Sequence, residues 1–591
     1  MSMSRSQIAG LAFACGVPIV LGGADAFATV RLGNPTFAPA WVGSSSVASG
    51  FGHSVASAGD VNGDGFADVV VGAPWFDGGQ FFEGKAFAYH GSASGLSAAP
   101  NWSYENNVAF HTVGSEVAGV GDVNNDGYDD VVVGVEQYTN GQTNEGRALL
   151  FLGSPTGLST TPSWVVESND AFSRFGSAIA GAGDLDNDGF CDVVIGASES
   201  GINGSASVYH GSPTGLPALA TAVRTGPHAN ASFAYDVQYG GDVNGDGYDD
   251  IVFGVPGLSN GEASEGGALV YAGSAAGIGA APQWTIESNV ANMWLGTAVG
   301  DGGDFNADGY ADFALGAPYF GTDLWQEGQF QVFMGSPSGP GTSPAMTVSG
   351  GEVNGIFGSA LANAGDVDAD GYDDLLVGAT SYDDAPFSFF VGRLFVHRGG
   401  VNGLDPLPSW SGGQANNLMF LGLSAAGAGD VNGDGFADVM GGGENFDSGA
   451  QHAQVFHGGA YAAIAPYGRS KALSPTVFSP RLVTTTAPAI GATSNLIVAN
   501  GVKLAPGGFL FAGFQPLSVP FDEGMLNVVP TYVVILPAFD AQGKVTIPVA
   551  IPPLAGLDGL SVYFQAGQAT FQAPGPHHTT QTNGLRWVLG N

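Results

Sequence analysis

Cysteine is close to absent from this chain, with two residues in 591. Basic side chains are also scarce: 14 Lys and Arg stand against 53 Asp and Glu, a formal net charge of −39. That balance argues against nucleic acid as a partner, because phosphates need Lys and Arg, and equally against an anionic membrane surface. It fits cations as partners, or simple solubility. Long apolar runs are missing too. Beyond the N-terminus no stretch of 18 or more apolar residues occurs, so no transmembrane segment is expected. Helical 3.6-residue periodicity of useful length is absent, which points to an all-β class. There is no H-E-x-x-H, G-x-S-x-G or P-loop, and the ten His are scattered. Glycine, by contrast, is plentiful: 97 residues without a G-X-Y period, as many tight turns would require. With 44% hydrophobic residues the chain can bury a large core, in two or three domains.

Residues 1–28 read as a signal peptide. Arg5 supplies the positive n-region, Ile8 to Leu21 an apolar stretch too short to span a bilayer comfortably, and Ala26-Phe27-Ala28 a cleavage site. Cys15 would leave with it; Ala12, Phe13 and Ala14 before it make a poor lipoprotein box. Cys191 then stands alone, so no intrachain disulfide is possible. An exported chain of this kind draws its stability from elsewhere, and metal is the obvious candidate.

The dominant feature is an internal repeat. Asp60-Val61-Asn62-Gly63-Asp64-Gly65-Phe66-Ala67-Asp68 recurs with the same spacing, in copies that begin at Asp122, Asp184, Asp242, Asp304, Asp366 and Asp430. About eight residues upstream of each copy lies a pair such as Phe51-Gly52, Phe175-Gly176, Leu295-Gly296, Phe357-Gly358 or Leu421-Gly422, degenerate in Val113-Gly114 and Phe233-Ala234. A short apolar run ending in Gly follows, as in Val69 to Gly72-Ala73-Pro74 and again at Gly316-Ala317-Pro318. Next come a variable polar and aromatic stretch, a strand such as Ala86 to Tyr89, a turn such as Gly211 to Gly215, and a segment often carrying Trp: Trp41, Trp102, Trp164, Trp284 and Trp410. Each unit therefore holds four short strands bounded by Gly, Pro and Asp. Four strands repeated around a ring make a propeller blade, and seven copies make seven blades over residues 37–460. An open β-solenoid normally repeats over far fewer residues. The last copy has no clear fourth strand, and the segment around Trp41 is left over. It is expected to complete blade seven and seal the ring with both chain ends.

The motif D-x-[DN]-x-D-G-x-x-D is rich in oxygen donors and holds no His, which suits Ca²⁺. Positions 1, 3, 5 and 9 offer side chains, and position 7, aromatic in every copy, only its carbonyl. The candidate ligands are Asp60, Asn62, Asp64, Phe66 and Asp68; Asp122, Asn124, Asp126, Tyr128 and Asp130; Asp184, Asp186, Asp188, Phe190 and Asp192; Asp242, Asn244, Asp246, Tyr248 and Asp250; Asp304, Asn306, Asp308, Tyr310 and Asp312; Asp366, Asp368, Asp370, Tyr372 and Asp374; and Asp430, Asn432, Asp434, Phe436 and Asp438. An EF-hand begins alike but needs Glu at position 12, where this chain has Val71, Val133, Ile195, Phe253, Leu315, Val377 and Gly441. Positions 1, 3, 5 and 9 account for 23 of the 53 acidic residues. Carboxylates so crowded repel one another unless a cation sits among them. About seven structural Ca²⁺ ions are expected.

These residues resemble the FG-GAP repeats of the integrin α-subunit β-propeller and of related bacterial exported proteins. The resemblance covers about residues 37–460. It implies that the chelating loop joins the first two strands of each blade on a lower face, and that ligands bind the opposite, upper face. Integrins keep the motif in some blades, this chain in all seven, and no inserted adhesion domain, transmembrane helix or cytoplasmic tail accompanies it. Upper-face loops carry Trp75, Phe76, Phe81, Phe82, Tyr138, Tyr319, Phe320, Trp325, Tyr382, Phe389 and Phe390, which either stack on sugars and dock proteins or pack between blades.

Around residue 461 the pattern stops. A Pro-bearing linker is expected over 461–480, and a small β-sandwich over 481–591, with strands at Leu496–Val498, Phe509–Phe514, Tyr532–Leu536, Val545–Ala550, Leu560–Phe564 and Leu585–Val588. Binding or adhesion to an extracellular protein or glycan is the expected function, without catalysis. A lyase-like enzyme acting on polysaccharide is the alternative. His90 and His210 recur at one repeat position, as structural residues do, and the dense carboxylates belong to the chelating loops, so an acid–base pair is hard to nominate.

Overall fold

The computed structural model describes residues 39–459 except 46–48, 322–323, 383–390, 414–419 and 445–450, and beyond 459 the backbone of eleven strands. The leader expected over 1–28, and Phe389 and Phe390, lie outside the described residues. No helix occurs among the described residues.

The first blade shows how the repeat folds. Val55–Gly59, Asp68–Ala73, Lys85–Tyr89 and Trp102–Tyr104 pair in order as an antiparallel sheet. The second strand is buried on both faces, so it reads as a continuous apolar run, DVVVGA. The third alternates, with Ala86 and Ala88 buried and Lys85 and Phe87 half-buried. Six further sheets repeat this order, giving seven four-stranded blades. The inner strand of each blade packs against the next: Val117–Gly121, Ala178–Gly181, Val237–Gly241, Ala298–Gly303, Phe357–Gly365 and Ser424–Gly429, the last returning to Val55–Gly59. The molecule is thus all-β, with a closed seven-bladed propeller.

Closure uses both ends of the ring, as expected. Trp41–Ser45 pairs with Gln451–Phe456, Trp41 opposite Val455, as the fourth strand of the sheet built from Ser424–Gly429, Asp438–Gly443 and Gln451–Phe456. The core lies between blades. Val70, Ala88 and Trp102 of the first pack with Val131, Val133, Leu149 and Phe151 of the second. Each such Val, Leu or Phe side chain, fully buried, contributes roughly 1.5–3 kcal/mol.

The two glycine-bearing signatures of the repeat meet across the blade junction. Gly114 N donates to Gly134 O of its own blade at 3.0 Å. Its carbonyl sits against Gly72 of the blade before, where an added Cβ would lie 2.1 Å from that oxygen. Gly134 stands in the same relation to Gly176 O, at 2.2 Å. Backbones this close admit no side chain.

Beyond the propeller, strands Ile464–Tyr467, Arg481–Thr484, Thr493–Ala499, Gly508–Gly513, Pro516–Phe521, Gly524–Val528, Tyr532–Leu536, Val545–Ala550, Ser561–Thr570, His578–Gln581 and Gly584–Val588 form sheets of six, three and two strands. Within the segment expected as linker, Ile464–Tyr467 pairs with Gly584–Val588.

Candidate functional site

Each acidic loop joins the first and second strands of its blade. The position-1 Asp organises it. Asp60 Oδ1 accepts the N–H of Gly63 at 2.7 Å and of Asp64 at 3.1 Å, and Oδ2 that of Gly65 at 2.7 Å. Asp64 Oδ1 in turn accepts Phe66 N at 3.1 Å. Such Asx-type bonds curl the backbone around the carboxylates. Gly65 takes φ +88°, where a side chain would be strained.

The position-9 Asp is a staple. Asp68 is fully buried; Oδ2 accepts Val61 N at 3.1 Å, and Oδ1 accepts Gly91 N at the end of the third strand at 2.9 Å. Asp130, Asp192, Asp250, Asp312, Asp374 and Asp438 are equally buried and bonded. Burial pushes the Asp68 carboxyl up to about 7, helped by the charges of Asp64 and Asp60 and opposed by its two backbone donors. Asp374 is pushed to about 8, again mainly by burial. Sequence reading assigned this Asp to chelation alone; the staple depends on a strand end 23 residues downstream.

The loops are also linked to one another. The position-8 N–H of each donates to the position-1 carbonyl of the preceding loop: Asp129 to Asp60 (3.3 Å), Cys191 to Asp122 (3.3 Å), Asp249 to Asp184 (3.4 Å), Ala311 to Asp242 (3.0 Å), Asp373 to Asp304 (3.3 Å), Ala437 to Asp366 (3.2 Å) and Ala67 to Asp430 (3.1 Å). These seven bonds close on themselves. In three junctions the position-8 side chain adds a second bond: Asp129 Oδ2 accepts Asp60 N at 2.7 Å, Asp249 Oδ2 accepts Asp184 N at 2.8 Å, and Asp373 Oδ2 accepts Asp304 N at 3.0 Å.

Two loops differ from the rest at position 3, where Asp186 and Asp368 replace Asn. Each of these acids meets a basic side chain from the end of its blade's third strand. His210 Nδ1 lies 2.7 Å from Asp186 Oδ2, and Arg398 pairs with Asp368. Among the described residues, three groups bring potential ligand atoms within 4.8 Å of one another: Asp184, Asp186 and Asp188; Asp186, Asp192 and His210; and Asp366, Asp368 and Asp374. Chemically the loops are crowded sets of hard oxygen donors, which fit a Ca²⁺-like cation.

The opposite face is built from the loops after the second strands and before the inner ones. Glu83, Glu145 and Glu265 are fully buried there, each accepting a backbone N–H at 2.6 Å, from Gly78, Asn140 and Asn260. The signal for them was the repeated Glu-Gly at 83, 145, 265 and 327. The expected aromatics divide. Phe81 (68% exposed), Phe82, Tyr319 and Trp325 (73%) face solvent. Tyr138 is buried under Arg147, Phe76 packs on Phe87 and Tyr382 on Phe395. Trp75 is half-buried against His53. Exposed Phe110, Phe172, Tyr235 and Trp294, not singled out from sequence, join the surface ones, and Phe82 contacts Phe110 edge-on at 6.2 Å. Nearer the axis, His53 Nδ1 lies 2.6 Å from Glu444 Oε1, and Ser54 Oγ donates to Glu116 Oε1 at 3.1 Å.

A family model described as FG-GAP repeat matches residues 51–88, 113–151, 296–333 and 357–396. The chain is 34% identical over 222 residues to integrin alpha pat-2 of Caenorhabditis elegans, covering 34% of this chain and 18% of that protein. It is 30% identical over 239 residues to integrin alpha-5 of Xenopus laevis (39% and 22%), and 35% over 174 residues to integrin alpha-IIb of Homo sapiens (28% and 16%). The matched part is about a fifth of these relatives' length. The chain thus carries FG-GAP repeats on a seven-bladed propeller and has integrin alpha subunits as homologues. No described helix is long and apolar enough to cross a membrane.

Proposed function

We propose that this protein is an exported, calcium-stabilised propeller that binds an extracellular protein or glycan through the loops opposite the acidic ring, without turnover. The observation that carries the reading is the sevenfold oxygen-donor loop, each copy with a buried, doubly bonded Asp at position 9 and each bonded to its neighbour. Calcium would be held by positions 1, 3 and 5, the position-7 carbonyl and the remaining lone pairs of position 9, from Asp60 to Asp68 and likewise in the other six copies. Bound calcium would offset the crowded carboxylates and tie each loop to its blade. A site at one hundred times its dissociation constant adds about 2.7 kcal/mol. Homology to integrin alpha subunits supports the adhesive role, and exposed Phe81, Phe110, Tyr319 and Trp325 supply stacking and docking surface.

The test is a thermal melt of the chain in calcium and in EDTA, with bound metal counted by mass spectrometry. About seven ions and a large calcium-dependent rise in Tm are expected. An unchanged melt with no metal would overturn chelation. A glycan and protein array probed in calcium tests the second half; depolymerised product instead of retained ligand would overturn the binding role.

A further inference from the structure

Seven chelating loops that look interchangeable in sequence differ at two positions that meet in the fold. Position 3 is Asn62, Asn124, Asn244, Asn306 or Asn432 in five loops, and Asp186 or Asp368 in the other two. At the residue before the Gly that closes each third strand stand His90, Leu152, Ala272, Met334 and His457 in the five, and His210 and Arg398 in the two. Where the fourth carboxylate appears, a basic side chain touches it.

The sixth loop is the clearer case, because guanidinium is charged at every relevant pH. Arg398 pairs with Asp368 Oδ2. The Asp368 side chain is only 5% exposed, its Oδ1 is buried without a hydrogen-bond partner, and its carboxylate clusters with those of Asp366 and Asp374. Arg398 thus anchors one oxygen of a carboxylate that belongs to the acidic cluster of its loop.

The geometry points to Arg398 as a standing counter-cation of the sixth loop, a positioning residue that keeps this loop formed when its metal is absent. It rests on the chelation reading above for what the loop binds. Four carboxylates in nine residues repel one another. In the five Asn loops three carboxylates remain. In the sixth, Arg398 restores the same net charge from within. The same positive charge also repels an incoming divalent ion. With Arg398 in place the sixth loop therefore carries no more uncompensated charge than a three-carboxylate loop, and without Arg398 it would depend more strongly on calcium.

The test compares the full chain with Arg398→Met, and with Asp368→Asn/Arg398→Met, which reproduces the natural Asn306 and Met334 combination of the fifth loop. In EDTA, Arg398→Met should lower Tm by roughly 5 °C or more, since it strands a buried charge. In saturating calcium the loss should be markedly smaller, and one site per chain should bind calcium about tenfold tighter. The double variant should recover the EDTA melt. Equal losses with and without calcium, or no recovery in the double variant, would overturn the counter-cation role. A wild-type chain that binds no calcium sinks the chelation reading instead; in that case the EDTA melts alone still decide Arg398, for it if Tm falls and is rescued, against it otherwise.

Discussion

Glu116 and Asp236, each just before the inner strand of its blade, show what burial does to a single carboxyl there. Burial, joined by the charge of Asp236, pushes the Glu116 carboxyl up to about 8, while His53 and Ser54 pull the other way. Asp236 is pushed to about 7, first by burial, against donors Val299 N and Val237 N. Both folded values lie above the unfolded ones, so the native state holds protons that the unfolded chain has released. Their stabilising contribution is complete below about pH 4 and is lost as pH rises through about 7 to 8. Metal-free protein should accordingly lose stability between pH 5 and pH 8, and Glu116→Gln should flatten that slope in urea melts followed across pH. An unchanged slope would mean Glu116 ionises freely. Cys191, whose thiol burial pushes to about 11, should stay inert to alkylating reagents at neutral pH, in keeping with its place under the second blade's Gly121.

Between blades, single hydrogen bonds join elements far apart in sequence. The outer-strand Trp of one blade donates to a turn of the next: Trp41 to Ser97 O (3.0 Å), Trp102 to Ser159 O (2.8 Å), Trp164 to Pro217 O (2.9 Å) and Trp284 to Ser338 O (3.0 Å). The third blade lacks the Trp and uses Arg224, which donates to Ile278 O and Gly279 O. Trp102→Phe keeps most of the packing and removes the bond, so a loss of about 1 kcal/mol is expected by denaturant unfolding. Asp129→Ala removes a charge-assisted bond to Asp60 N across the first junction. A loss of about 1–3 kcal/mol is expected, with faster hydrogen exchange at Asp60. Full protection at Asp60 in that variant would show the position-8 carboxylate to be dispensable. The inner strand itself bends toward this contact: Gly59, at φ +71° in a bulge, leaves room for the Asp129 carboxylate.

For the ring as a whole, closure by Trp41–Ser45 decides whether the seven blades form one cooperative unit. Removing residues 1–45 strips the partner from Gln451–Phe456 and bares a sheet edge next to the first blade. A lower Tm with dimers or larger species in light scattering is the expected result. A monomer with an unchanged melt would show that inter-blade packing alone holds the ring shut.

Much of this was legible in the chain itself, because a repeat states its rules seven times. The spacing of the acidic motif set blade number, the apolar run after it set the doubly buried strand, and the leftover Trp41 segment set the closure. These are local patterns, fixed by periodicity and by what Gly and Asp permit. Tertiary structure alone decided the rest. The position-9 Asp became a staple because a strand end 23 residues on delivers a glycine N–H to it. The loops became a bonded ring because the blades bring each position 8 onto the previous position 1. Arg398 met Asp368 because strand three returns beside the loop, and Phe110 met Phe82 across a blade junction. Contacts of this kind join residues tens to hundreds of positions apart, and only the closed packing of blades supplies the distance between them.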